Sequence, residues 1–492
     1  MQNTESILNI YKKRSFYNLK IKNVYKTLTN SFINENTLIY NKLSAKKYIW
    51  NENIKNDSIL QRRLYEILKV IFDEKFLDCS HWHKENRKGI HTALTDIRQH
   101  GKACEFFIQG KFDDLKINFN VLLNIIANEI DDVNFINLIR KLLKKCKFND
   151  QFNYKTFSGT LQSNNDLLNL FINIYLNELD HYINDHYKNK YNFGETRKRN
   201  INYDRLHHKI VDHSNRLNNR KNSIKFPISK EEYNQKVKKI KQMRKDLRII
   251  DTRVNINDDL NFRRFNYVRY GNDWIITFTG TFNEAQDIKN EINNFIQNNL
   301  LINNIDINIR QSSNLKSPIY FLNYNIIVQK SEDMKSIGKE IGFLIPRDKI
   351  IEIQKKFMKN NKPVHMNNKL HNNITDIILY YQLQWRGIIQ YYKFARNQSC
   401  LTKLKWVLET LLIKTLAAKF KSTCKKMYKK YSSIKTVDGH QYKVIQYDNV
   451  YFGAIPLKRK IALDCNKIND SINAYDHKAY SYEHVKHIKD RF

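Results

Sequence analysis

Residues 265–278 carry the pattern that most constrains this chain. Phe265 to Tyr270 alternates or runs apolar, Gly271, Asn272 and Asp273 interrupt it, and Trp274 to Phe278 runs apolar again. Two strands must therefore meet at a tight turn, and a helix is predicted straight after, from Asn283 to Ile296. Other apolar runs read as strands at Glu105–Ile108 and Ile319–Val328. Helical spacing dominates elsewhere. Ile59 to Phe76 places Leu60, Leu64, Leu68 and Ile71 on one face, and Asn120–Ile130 and Val133–Leu143 read as buried helices. The last third is helical over Ile374–Phe394 and Leu401–Tyr431, before a tail of mixed pattern. Strands and helices interleaved in this way predict an α+β fold, with no internal repeat.

Charge names the kind of partner. The 492 residues include 85 Lys plus Arg against 49 Asp plus Glu, a net charge of +36, far beyond what solubility requires. A large polyanion is expected. Hydrophobic residues make up 41% and aromatics 12%, too much core material for a disordered basic tail, so the chain should fold, into two to four domains at this length. Gly at 12 and Pro at 5 are scarce while Asn, Lys, Ile and Tyr crowd every stretch, a bias expected of a very A+T-rich coding genome such as those of organelles and some parasites or bacteria. The six cysteines, Cys79, Cys104, Cys146, Cys400, Cys424 and Cys465, show no Cys-x-x-Cys pair and read as reduced thiols. No run of about 18 apolar residues occurs, so no membrane partner is expected. The first residues have neither a signal-peptide nor a transit-peptide pattern, which implies that in an organelle the protein would be made there.

Between residues 184 and 257 apolar density falls and charge takes over, with RKRN at 197–200 and VKKIKQMRKDLR at 237–248. This reads as a basic inserted arm, with a solvated helical face as the plainer alternative.

Several segments taken together resemble one family, the group II intron-encoded proteins, which join a reverse transcriptase to a maturase domain. YVRYGNDWIITFTG (267–280) resembles the family's Tyr-Ala-Asp-Asp hairpin, and DDLNFRRFNYVRY (258–270) leads into it as the family does. LQRRLYEILKVIFDEKFLDCSH (60–81) with HTAL (91–94) resembles the Ser-His-Gly-Phe-Arg region, and the stretch from Ser158 to Ile183 resembles the Gly-x-x-Gln-Gly-x-x-x-Ser-Pro segment with its helix. FLNY (321–324) is similar to Phe-Leu-Gly-Tyr. Residues 385–431, with Arg-Gly, Tyr-Tyr and Thr-Leu-Ala-x-Lys (415–419) in place, resemble the maturase region, domain X. The resemblance covers roughly 55–435 and implies a right-hand palm with reduced fingers, followed by a helical thumb and domain X. It divides the chain into an N-terminal region (1–58), a first palm part (59–183), the basic arm (184–257), a second palm part with the hairpin (258–340), thumb and domain X (341–436) and a tail of unassigned role (437–492).

Departures from the family pattern bear on activity. Such a polymerase holds two metal ions with carboxylates on adjacent palm strands. Here the hairpin reads Tyr270, Gly271, Asn272, Asp273, so an amide, a weak Mg²⁺ ligand, stands at the first carboxylate. Aligned on Gly110, the other metal Asp position is Lys111, although Asp113 and Asp114 lie close by and a short deletion blurs the register. Gln162 remains in the third segment, followed by Ser163 rather than Gly and by no Ser-Pro. The expectation is a scaffold without catalytic residues, metal or cofactor, in which Asp273 serves as a turn residue. Residues 437–492 offer Cys465 with His440, His477, His484 and His487, too little for a nuclease metal site, so DNA is not expected as a partner.

In domain X, Leu401, Leu404, Leu408, Leu411, Leu412 and Leu416 form an apolar face. The resemblance implies RNA contacts from Arg386, Lys403, Lys405, Lys414, Lys419, Lys421, Lys425 and Lys426, with Tyr391 and Tyr392 either stacking on unpaired bases or buried in the core. The implied protein is not an enzyme. It is a maturase that binds intron RNA, of group II or shortened group II-derived type, and promotes splicing in an organelle, a plastid before a mitochondrion. A residual reverse transcriptase, a general structured-RNA binder and a decaying remnant are the alternatives. Oligomeric state is not set by any of these features.

Overall fold

The structure is a computed structural model that describes residues 22–32, 41, 43–46, 54–82, 88–101, 104–112, 115–145, 151–153, 166–198, 201–221, 229–249, 259–303, 305–312, 318–330, 339–360, 362–437 and 440–453. It divides into two compact units. One comprises residues 1–82, 100–314 and 330–339, the other 83–99, 315–329 and 340–492. Described residues 88–99 and 318–329 thus fall in the second unit, although the sequence division places them in the palm.

The first unit begins with helices α1 (Val24–Asn30) and α2 (Ile54–Phe72); the next helix, α3 (Ile90–His100), lies almost wholly in the second unit. Strand β1 (Phe106–Lys111) is followed by β2 (Lys116–Asn118), α4 (Phe119–Glu129), α5 (Val133–Lys145), β3 (Gln151–Asn153) and α6 (Asp166–Ile183). Asn118 caps α4 by accepting from the N–H groups of Asn120 and Val121. Two long helices, α7 (Ile201–Lys221) and α8 (Lys230–Ile249), precede β4 (Arg264–Tyr270), β5 (Asp273–Thr279), α9 (Phe282–Asn298) and β6 (Asp306–Gln311). Strands β4, β5, β1 and β6 form an antiparallel sheet in that order. The helix that follows the hairpin is bounded by a capping box between Thr281 and Glu284. A single core unites the sheet with α2, α4, α5, α6 and α9, including Leu64, Phe107's neighbour Phe106, Leu122, Phe171, Tyr175, Trp274 and Ile288. Gly110 permits this packing, because a Cβ there would lie 2.2 Å from the indole of buried Trp274.

The second unit adds β7 (Ile319–Phe321), β8 (Tyr324–Lys330) and β9 (Lys339–Leu344) as one small sheet, then α10 (Arg347–Lys356) and the short pair β10 (Met358–Lys359) and β11 (Lys362–Pro363). Helices α11 (Ile374–Tyr391), α12 (Thr402–Lys419) and α13 (Cys424–Tyr431) follow, then a three-stranded sheet of β12 (Ser432–Val437), β13 (His440–Tyr447) and β14 (Val450–Phe452). Helix α11 packs on α12, β13 and β14, and α13 packs on α12 and β13. Two expectations change here. Ile319–Val328 is a hairpin rather than one strand, turning at Leu322 and Asn323 with φ of 48° and 58°. Leu401–Tyr431 is two helices, because Lys421 adopts φ 46° and Thr423 caps a new helix by accepting from the Lys426 N–H. Residues 440–453 of the expected tail are ordered in β13 and β14, while 454–492, with Cys465, His477, His484 and His487, lie outside the described residues.

Candidate nucleic-acid interface

The hairpin between β4 and β5 is built around a buried arginine. Arg269 is 0% exposed and donates to both carboxylate oxygens of Asp180 on α6 at 2.6–3.0 Å, to Asn173 Oδ1 at 3.0 Å, to Ser80 Oγ at 3.0 Å and to the Gly271 carbonyl at 3.2 Å. Tyr267 donates its hydroxyl to Asp180 Oδ1 at 2.9 Å. Burial, reinforced by the Asp180 charge, raises the Tyr267 hydroxyl well above its usual range, so it stays a donor. Burial opposes the charge on Arg269, but the attraction of Asp180 outweighs it. Backbone bonds His81 N–H to Arg269 O at 2.8 Å and Arg269 N–H to Cys79 O at 2.9 Å cover the outer edge of β4. Gly271 takes φ 58° at the first central position of the turn, and a Cβ there would lie 3.1 Å from the Trp82 ring.

Strand register places the resemblance's metal positions. Lys111 on β1 stands directly opposite Asp273 on β5 and Asp306 on β6. A cation is therefore flanked by two cross-strand carboxylates, as opposite charges favour. Asn272 in the turn and an ammonium at Lys111 supply, at those two positions, none of the carboxylate oxygens that a pair of Mg²⁺ ions requires. Among the described residues no group of three His, Cys, Asp or Glu side chains is placed to hold a metal. Asp113, Asp114, Gln162 and Ser163 lie outside the described residues.

In the second unit the expected RNA-contacting residues separate into two groups. Tyr391 and Tyr392 are 5% and 1% exposed, which corrects their reading as base-stacking groups. The Tyr391 hydroxyl donates to the Leu322 carbonyl at 3.0 Å and accepts from Asn323 Nδ2 at 3.0 Å, while its carbonyl receives the Tyr324 hydroxyl. The two rings meet edge-on at 4.9 Å and both lie against Tyr324, so they are core. Lys414 donates to the Pro363 carbonyl at 2.7 Å and Lys419 to the Leu370 carbonyl at 2.9 Å, so both amines tie α12 to the preceding segment instead of facing solvent alone. Thr415 is buried between them. It accepts from the Met366 N–H at 3.3 Å, meets the Tyr381 hydroxyl at 3.1 Å and donates to the Leu411 carbonyl at 2.8 Å. Thr-Leu-Ala-x-Lys is thus a packing motif here. Lys405 is half-buried, and burial pushes its amine below the usual lysine range, partly offset by Glu409.

The other group is exposed: Arg386, Lys403, Lys421, Lys425 and Lys426, with Lys429 and Lys430 beside them on α13. Helix α13 buries Met427 and Tyr431 and turns its four lysines outward. Lys425–Lys429 and Lys426–Lys430 are like-charge pairs at i,i+4, each of which destabilises an isolated helix by ~0.2–0.5 kcal/mol. Aromatic rings missed from sequence are interleaved with them: Trp406, Phe420 and Tyr447 are 57%, 40% and 42% exposed. Trp406 falls opposite the Leu404, Leu408 and Leu411 face of α12, and that helical spacing is the signal that identifies it. A cleft of about 460 Å³ nearby is lined by Val364, His365, Lys414, Lys421, Ser422 and Cys424.

Basic and aromatic side chains gathered on the second unit have the chemistry a polyanion would need, and comparison with known proteins adds what the chain is similar to. Residues 339–468 match the Type II intron maturase family. The group II intron-encoded protein LtrA of Lactococcus lactis subsp. cremoris is 30% identical over 393 residues, 75% of this chain and 62% of that protein. The COX1/OXI3 intron 2 protein of Saccharomyces cerevisiae is 27% identical over 408 residues, 78% of this chain and 45% of that protein. A mitochondrial protein of Marchantia polymorpha, ymf11, is 32% identical over 90 residues, 18% of this chain and 12% of that protein. The chain thus carries a Type II intron maturase domain and is similar over three quarters of its length to a group II intron-encoded protein. It spans 62% of the length of LtrA and 45% of the yeast protein.

Proposed function

We propose that this protein is a splicing maturase. It binds intron RNA, of group II or shortened group II-derived type, through the exposed cations of the second unit and favours the compact, active fold of the intron, while the splicing chemistry remains that of the RNA. The observation that carries this reading is the outward cluster Lys421, Lys425, Lys426, Lys429 and Lys430, which lies inside the matched maturase region and has no use in a packed core. Phosphates neutralise such a cluster and release counterions, which drives binding. Trp406, Phe420 and Tyr447 supply the stacking role first given to Tyr391 and Tyr392. The first unit is a right-hand palm kept as scaffold, without polymerase activity. Lys111 opposite Asp273 and Asp306 supports this, because a cation beside those carboxylates competes with a metal for them. The protein works in an organelle, and similarity to a protein named as mitochondrial favours a mitochondrion over the plastid expected above.

Crosslinking and immunoprecipitation from the native compartment, followed by sequencing of the bound RNA, tests the reading. Enrichment of intron sequence is expected. Recovery of ribosomal or unselected RNA overturns the splicing role, and primer extension that depends on Asp273 overturns the non-enzymatic one.

A further inference from the structure

Helices α7 and α8 form an antiparallel hairpin with a small core of their own. Ile210 and Leu217 from α7 meet Ile240 from α8, flanked by Leu206, Tyr233, Val237 and Met243. This core absorbs few residues, and what remains is charge. The two helices hold thirteen Lys plus Arg against five Asp plus Glu, a net +8 over 41 residues. The acids are largely spoken for within the hairpin. Asp212 pairs with Arg216 at 2.8 Å, Glu232 with Lys236 at 2.5 Å, and Asp246 accepts from Gln242 at 2.9 Å.

Helical spacing sorts the remaining cations into stripes. On α8, Lys238, Lys241 and Lys245 follow at i, i+3 and i+7, all exposed and, among the described residues, without a carboxylate partner. At ~1.5 Å rise per residue they span about 10 Å, with gaps of roughly 4.5 and 6 Å. On α7, Arg205, Lys209 and Arg216 form a similar exposed stripe. Among the described side chains of the hairpin the only Tyr, Phe or Trp ring is Tyr233, and it packs on the hairpin core. On α8 the Lys238, Lys241 and Lys245 stripe carries, among the described side chains, no exposed ring on which a splayed base could stack, as single-strand sites require. It suits the regularly spaced phosphates of a base-paired helix, read without regard to sequence.

We propose that the α7–α8 hairpin is a sequence-independent contact for double-helical RNA, separate from the surface of the second unit. The inference rests on the RNA-binding part of the function proposed above. The test uses the full chain, a triple variant Lys238→Gln, Lys241→Gln, Lys245→Gln and the charge-preserving triple Lys→Arg at the same positions. The probes are an RNA duplex of about 20 base pairs and the single strand of the same sequence, titrated across salt concentrations. The Gln triple should bind the duplex about 10- to 100-fold more weakly and lower the slope of log affinity against log salt by about 2 to 3, roughly one per lost phosphate contact. Single-strand binding and helix content should change little, and the Arg triple should bind as the unaltered chain does. Unchanged duplex affinity and slope in the Gln triple overturns the inference and leaves the proposed function standing. Equal losses for duplex and single strand overturn the duplex preference. If the unaltered chain binds neither RNA, the proposed function fails together with it.

Discussion

The β4–β5 hairpin and helix α13 use charge in opposite ways. Beside the hairpin turn two cations face acids: Arg269 is clamped by Asp180, and Lys111 stands across from Asp273 and Asp306. On α13 four lysines stack on one another with no acid in the helix. Desolvation explains the first arrangement at Arg269, since a charge removed from water survives only when paired, while exposed Lys111 gains a smaller cross-strand attraction. The second costs helix stability and is tolerable because solvent screens it, and it becomes favourable once a polyanion arrives. The hairpin is therefore organised for folding, and α13 has the charge that the binding proposed for it would use.

That contrast can be broken at its strongest point first. Asp180→Ala leaves Arg269 buried without its counter-charge and should destabilise the fold by about 3–5 kcal/mol, read as a lower midpoint in urea denaturation. A loss below 1 kcal/mol would show that the clamp is not needed. On α13, the combined change of Lys425, Lys426, Lys429 and Lys430 to Gln should weaken RNA binding by one to three orders of magnitude at ~0.1 M salt. It should also raise thermal stability slightly, because two repelling pairs worth ~0.2–0.5 kcal/mol each disappear. The opposite signs are the point; a variant that loses both stability and affinity would refute the division of roles. Thr415→Val separates packing from binding within domain X. Removing its hydroxyl strands the Met366 N–H and should cost about 1–3 kcal/mol while leaving RNA affinity per folded molecule unchanged. The smallest effect belongs to Asp273→Asn, for which splicing and RNA affinity should match the unaltered protein within about twofold, about 0.4 kcal/mol. Loss of splicing in that variant would return the hairpin to the list of working parts.

Much of the fold was legible where the signal is local. The apolar runs on either side of Gly271 gave both strands of the hairpin, and helical spacing gave α4, α5 and α9 within a few residues. The breaks were harder because neither used Gly or Pro. Asn323 bends β7 into β8 at φ 58°, a conformation Asn tolerates, and it stands where the family has Gly. Lys421 ends α12 at φ 46°, a turn that no residue type announces. At the candidate site, helical spacing separated the apolar face from the basic one but could not say which lysines were engaged. Lys414 and Lys419 reach carbonyls 51 and 49 residues away, at Pro363 and Leu370, and such partners exist only after folding. The burial of Tyr391 and Tyr392 at the end of α11 likewise depends on Tyr324, which arrives on strand β8.

The position of Lys111 also bears on how this chain can change over generations. With two aspartates across from it, replacing Lys111 by Asp sets three carboxylates side by side, whereas replacing Asn272 by Asp alone adds an acid to a site a lysine still occupies. On the scaffold reading proposed above, each single step toward a metal-binding palm lacks what the other supplies, so the lysine would act as a ratchet.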